Sequence, residues 1–166
     1  AAMEIDVGLN TTVLGNGWGA GTWGRMTWSS GAGSLAGQNL RLWMSDSWGE
    51  DLVANLVDGS LYYWDATTGK SARMVELSTV SGASDVPTTV RKVMVSDTDR
   101  HVLCFGANPV GSATFDPLLI RWSSQESVTD WTPTATNTAG DLRLSQGSEI
   151  VTAVRTTRQI LVFTEN

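Results

Sequence analysis

Apolar positions in this chain come in short runs, each broken by turn-forming residues, and the runs repeat. Residues 51–64, 100–122 and 149–163 share one pattern: an apolar, β-rich run, a turn, and a second apolar run ending on an aromatic side chain. Leu52, Val102 and Ile150 correspond at the start, and Trp64, Trp122 and Phe163 at the end. A shorter strand is predicted before each hairpin, at 40–44, 92–95 and 142–144, and a fourth after the first hairpin, at 72–77. No apolar stripe at helical spacing lasts beyond two turns, so the pattern predicts strands and essentially no helix.

Turn chemistry separates the runs. Residues 45–49, 96–99 and 145–148 are rich in Ser, Asp and Gly, and Asp58-Gly59 carries the signature of a type I′ hairpin turn. Longer loops are expected at 107–116 and 123–140. The unit is therefore an antiparallel meander of three to four strands. Its terminal aromatics fall 58 and 41 residues apart, with the excess of the middle unit in loops, and meanders repeated at roughly 40 to 50 residues are the signature of β-propeller blades. Three units are expected, at 39–78, 91–140 and 141–166, the last without its outer strand. Propellers close with about four to eight blades, so the predicted fold class is all-β, with a partial or oligomer-completed propeller. An open β-sandwich is the alternative. The unpaired edge of the third unit would attract another strand, either residues 5–9 or a strand of a second copy.

Residues 1–38 are different material. Glycines crowd between Gly15 and Gly33, and Trp18, Trp23 and Trp28 lie five apart among them. Glycine this dense cannot hold a regular element, because its backbone entropy cost is the largest of any residue. The three tryptophans are accordingly expected to anchor on another surface as interface or binding residues. Trp43, Trp64, Trp122 and Phe163 are expected in the core.

Charge narrows the partners. The net charge is −6 and the pI near 4.6. Nucleic acid binding is not expected, since gripping phosphates needs a basic surface. No run approaches the roughly 20 apolar residues that span a bilayer, and no signal peptide is predicted at the N-terminus. Cys104 is the single cysteine, so no internal disulfide is expected, and its apolar surroundings predict a buried, inert thiol.

The stretch 116–140, the pair 48–54 and 61–65, and the arm segment 17–24 together resemble a recurrent pattern in virion proteins of tailed bacteriophages. The resemblance covers most of the chain in order, from about Trp18 to Thr164. It implies a structural part of the tail, tail tube or nozzle, located in the virion and made in the host cytoplasm. Its partners would be other copies of itself and other tail proteins.

Catalytic chemistry has little support in the residues. The only histidine is His101, and no nucleophile elbow accompanies it. Residues 67–70 lack the upstream glycine of a phosphate-binding loop. Asp46, Glu50, Asp51, Asp65, Asp116, Glu126 and Asp130 are candidates for a glycosidase pair, yet all fall at strand ends or turns, where acidic residues serve as turn formers. A cation at Asp97 and Asp99 would lack the usual six to eight oxygen ligands. The expectation is no enzyme, no metal and no cofactor. A carbohydrate-binding adhesion module, with exposed tryptophans stacking on sugar, is the second functional reading.

Overall fold

The computed structural model describes residues 42–96, 98–157 and 159–165. Contacts divide the chain into two units, Ala1–Leu40 and Arg41–Asn166, and the described residues belong to the second.

Among the described residues, ten strands make three antiparallel sheets. Sheet 1 is a meander of β1 (Trp43–Trp48), β2 (Asp51–Leu56), β3 (Leu61–Trp64) and the two-residue β4 (Val75–Glu76). Sheet 2 repeats it with β5 (Val90–Val95), β6 (Val102–Ala107), β7 (Asp116–Trp122) and β8 (Gly140–Arg143). The third is a hairpin of β9 (Glu149–Arg155) and β10 (Ile160–Glu165). The only helical pieces among the described residues are single 3₁₀ turns at Ala66–Thr68 and Leu77–Thr79. The all-β, antiparallel expectation therefore holds. The described sheets close into neither a barrel nor a propeller.

The layers stack face to face. Trp48, Val53 and Leu61 of sheet 1 pack with Val93, Val95, Val102 and Cys104 on one face of sheet 2. Met94, Phe105, Leu118 and Ile120 on its other face pack with Ile150 and Ala153 of the hairpin. Sheet 2 is covered on both sides, which is why β6 and β7 read as nearly continuous apolar runs.

Four sequence expectations are corrected. The first strand runs to Trp48, so residues 45–48 are strand rather than turn: Met44, Asp46 and Trp48 alternate inward opposite Asn55, Val53 and Asp51. The segment at 142–144 does not open the third unit; Leu142 pairs with Ile120, making it the fourth strand of sheet 2. The fourth strand of sheet 1 shrinks to Val75–Glu76, because Leu77 turns into a 3₁₀ step and is buried there. The first hairpin's turn is not type I′: Val57 and Asp58 are central, Gly59 N–H donates to the Leu56 carbonyl at 2.8 Å, and of the Asp58-Gly59 pair only Asp58 (φ 58°) takes a left-handed φ.

The core assignments split. Trp43 is 56% exposed and Phe163 51% exposed, so neither is core. Both sit on the face of their sheet that no other described layer covers. Trp64 and Trp122 are half-buried. Trp122 lies over Gly140, where a Cβ would come within 2.6 Å of its ring, and its indole donates to the Thr138 carbonyl.

Candidate interaction surface

The seams between layers set what is left outside. β5 is the edge strand of sheet 2, and its free backbone groups are answered by side chains of the neighbouring layers. Asn55 accepts from Val93 N–H at 3.0 Å and donates to the Val90 carbonyl at 2.8 Å. Asp46 accepts from Val95 N–H at 2.9 Å. From the other side Arg155 donates to the Val95 carbonyl at 2.6 Å. The hairpin shares no strand pairing with sheet 2. Cations tie it instead: Lys92 Nζ donates to the Ala153 carbonyl at 2.5 Å, and Arg91 reaches the Ile150 carbonyl and Glu149. Charge-assisted bonds of this kind exceed neutral ones in strength.

Beyond the seams, two apolar faces remain. On the hairpin, Val154 lies directly opposite Leu161, and Phe163 opposite Thr152. Val151, Val154, Leu161 and Phe163 are all exposed, while their alternates Ile150, Ala153, Ile160 and Val162 face the core. At the far end of the stack, sheet 1 turns Trp43, Tyr62 and Trp64 away from β5. Trp43 and Tyr62 form a tilted aromatic pair with centroids 5.4 Å apart. Trp64 Nε1 donates to the Ala72 carbonyl at 3.2 Å, which folds the β3–β4 connection against that face. Lys70 and Arg73 are exposed on that connection and make no ion pair with another described residue.

Of the acidic residues weighed for a glycosidase pair, Asp51, Asp65, Asp116 and Asp130 accept hydrogen bonds that hold local structure, and Asp46 ties β5. Asp51 accepts from Tyr63 Oη at 2.5 Å and from Ala66 N–H. Burial, then this bond, pushes the Tyr63 phenol far above its usual range. Asp65 accepts from both the hydroxyl and the N–H of Thr67, which lowers its pKa. Burial works to raise Asp116, but Leu118 N–H and Arg143 outweigh it and hold the carboxyl below its ordinary value. Asp130 accepts from Asn137. Glu126 sits in a left-handed turn, and its N–H donates to the Arg100 carbonyl. His101 Nδ1 lies 2.7 Å from the Ser123 carbonyl. Burial drives the Cys104 thiol well above its usual pKa. The described residues contain no group of three or more acidic, His or Cys side chains placed to hold a metal, and no described helix is long and apolar enough to cross a membrane.

Trp18, Trp23, Trp28 and Asp97 lie outside the described residues. Several structurally decisive residues had been passed over. Trp131, inside a stretch expected as loop, is 1% exposed and plugs the seam between sheets 1 and 2. Arg121, 1% exposed, donates to the carbonyls of Asn108, Asp85 and Trp131. Asn55 is fully buried. For Arg121 and Asn55 the available signal is a polar residue placed inside an apolar run.

Comparison with protein-family models, with curated proteins and with solved structures finds no match.

Proposed function

We propose that this chain is a structural component of a tailed-phage virion, belonging to the tail or its nozzle and acting through protein–protein interfaces. The sheets are, on this reading, propeller-like blades whose arrangement is completed by other copies or other tail proteins. The observation that carries it is the pair of apolar faces left at the two ends of the stack, on Trp43 and Tyr62 and on Leu161 and Phe163. A sheet buries its apolar face against another layer, and aromatic side chains are favoured anchors of protein contacts. Support also comes from the phage-virion pattern in the sequence and from the structural use of the acidic side chains and His101. The net acidic charge suits a protein lining the path of DNA without gripping it.

The test is composition of purified particles. Peptides of this chain should be found in virions at stoichiometric ratio to known tail proteins, and disruption of its gene should leave tails incomplete. Particles that assemble fully and infect without it would remove the structural role.

A carbohydrate-binding adhesion role is the second reading, favoured by the exposed Trp43 paired with the half-buried Tyr62. Binding to a glycan array that is lost on Trp43→Ala would select it.

A further inference from the structure

Backbone bonding sets one layer apart. Sheets 1 and 2 meet in a bridge, where Val90 N–H donates to the Gly59 carbonyl at 2.8 Å. Among the described residues no backbone–backbone bond joins the β9–β10 hairpin to either sheet. The connection leading into it is equally bare. Leu144 N–H donates to the Leu118 carbonyl of sheet 2 at 3.0 Å, and Ser148 N–H to the Glu165 carbonyl inside the hairpin at 2.7 Å. Between them, Ser145, Gln146 and Gly147 make no hydrogen bond to a described residue. Gly147 takes φ 99°, a conformation open to glycine and strained for other residues. We propose that residues 145–147 are a hinge on which the hairpin leaves sheet 2 as one unit, and that Arg91 and Lys92 are its latch.

The hairpin is closed on itself at both ends, by Thr156 with Gln159 across the turn and by Ser148 with Glu165, so it moves in one piece. Opening gives up a single apolar contact, that of Ile150 and Ala153 with Met94, Phe105, Leu118 and Ile120. The other face is exposed already, whereas sheet 2 is covered on both of its faces. The polar bonds across this seam all fall on β9 among the described residues. Arg91 takes Glu149 and the Ile150 carbonyl, Lys92 takes Thr152 Oγ1 and the Ala153 carbonyl, and Arg155 reaches the Val95 carbonyl and Asp46. The β9 carbonyls turn to water once the hairpin is off, so opening strands neither of them. A segment held by few apolar contacts opens at lower cost than the core strands. Detached, a lone two-stranded hairpin is only marginally stable, so each opening lets its amides exchange together.

Hydrogen exchange of the full chain in dilute solution, followed by mass spectrometry below the unfolding transition, tests this. Amides bonded between β9 and β10 should exchange at one common protection level, below that of β6 and β7. Val53→Ala, a truncation between sheets 1 and 2, should speed exchange of β6 and β7 about tenfold and leave the hairpin unchanged, since that seam stays closed when the hairpin opens. Lys92→Met should speed exchange of the hairpin roughly tenfold, the loss of a charge-assisted bond, and Glu149→Gln about threefold, the loss of a partly exposed ion pair. A hairpin that responds to Val53→Ala as strongly as β6 does opens only with the whole molecule, and the hinge is overturned. Unequal protection of β9 and β10 overturns the single unit. Hairpin exchange indifferent to both Lys92→Met and Glu149→Gln overturns the latch.

Discussion

Replacing Arg121 by methionine keeps an unbranched, apolar stem of similar reach and removes the guanidinium. In the native fold that group lies between sheets 1 and 2, where it donates to the Asn108 carbonyl at 3.1 Å, the Asp85 carbonyl at 2.7 Å and the Trp131 carbonyl at 3.3 Å. The bonds to Asn108 and Trp131 are buried, while Asp85 is exposed and its carbonyl can turn to water. Two carbonyls therefore lose a partner with no replacement, at about 1–3 kcal/mol each. Relief from burying a charge works the other way, since desolvation lowers the Arg121 pKa and a buried ion costs several kcal/mol. The carbonyl loss leads because the replacement leaves donors nowhere else, and the expected destabilisation is about 2–4 kcal/mol. Urea unfolding followed by tryptophan fluorescence should show the midpoint falling by ~1–2 M at unchanged slope. Arg121→Lys should fare no better, because a point ammonium cannot fork to three carbonyls. A methionine variant as stable as the native chain, or more so, would refute the claim that Arg121 clamps the loops at 85, 108 and 131.

Trp131→Ala removes a side chain that is 1% exposed and an indole bond to the Val128 carbonyl; a loss of about 3–5 kcal/mol is expected in the same assay. Gly140→Ala should cost roughly 1–3 kcal/mol, because the new Cβ meets the Trp122 ring at 2.6 Å, and a displaced indole would be visible as a red-shifted emission. Asp116 has a lowered folded-state pKa, so its contribution is complete above the unfolded carboxyl value and is lost as pH falls through the lower, folded one. Asp116→Asn should remove that increment of acid sensitivity, read as a smaller drop in melting temperature between neutral pH and pH near 3.

Strand content was legible because each sheet is made of consecutive strands, so the local alternation of apolar and polar residues already states the pairing. Boundaries were misjudged where side chains do something other than alternate. Residues 45–48 look like a turn because Ser45, Asp46 and Ser47 are polar, but Asp46 faces inward to take Val95 N–H and so belongs to a strand. Leu142 looks like the start of a new unit, yet its assignment depends on a partner more than twenty residues earlier, Ile120. Chemistry alone assigns the aromatic side chains to the core. Alternation cannot tell which of two faces another layer will cover, and Trp43 and Phe163 fell on the uncovered ones. Trp131 was missed because it is buried without any strand to give it a period.

Asn55 and Asp46 recognise the main chain of β5, and Lys92 and Arg91 reach carbonyls of β9 besides the side chains of Thr152 and Glu149, so the main-chain share of each seam does not depend on which side chains the recognised strand carries. A meander copied and set beside the original would thus find its polar contacts waiting before its own residues had adapted. Growth by duplication then needs only that the alternating apolar face be kept, while the rest of the strand drifts.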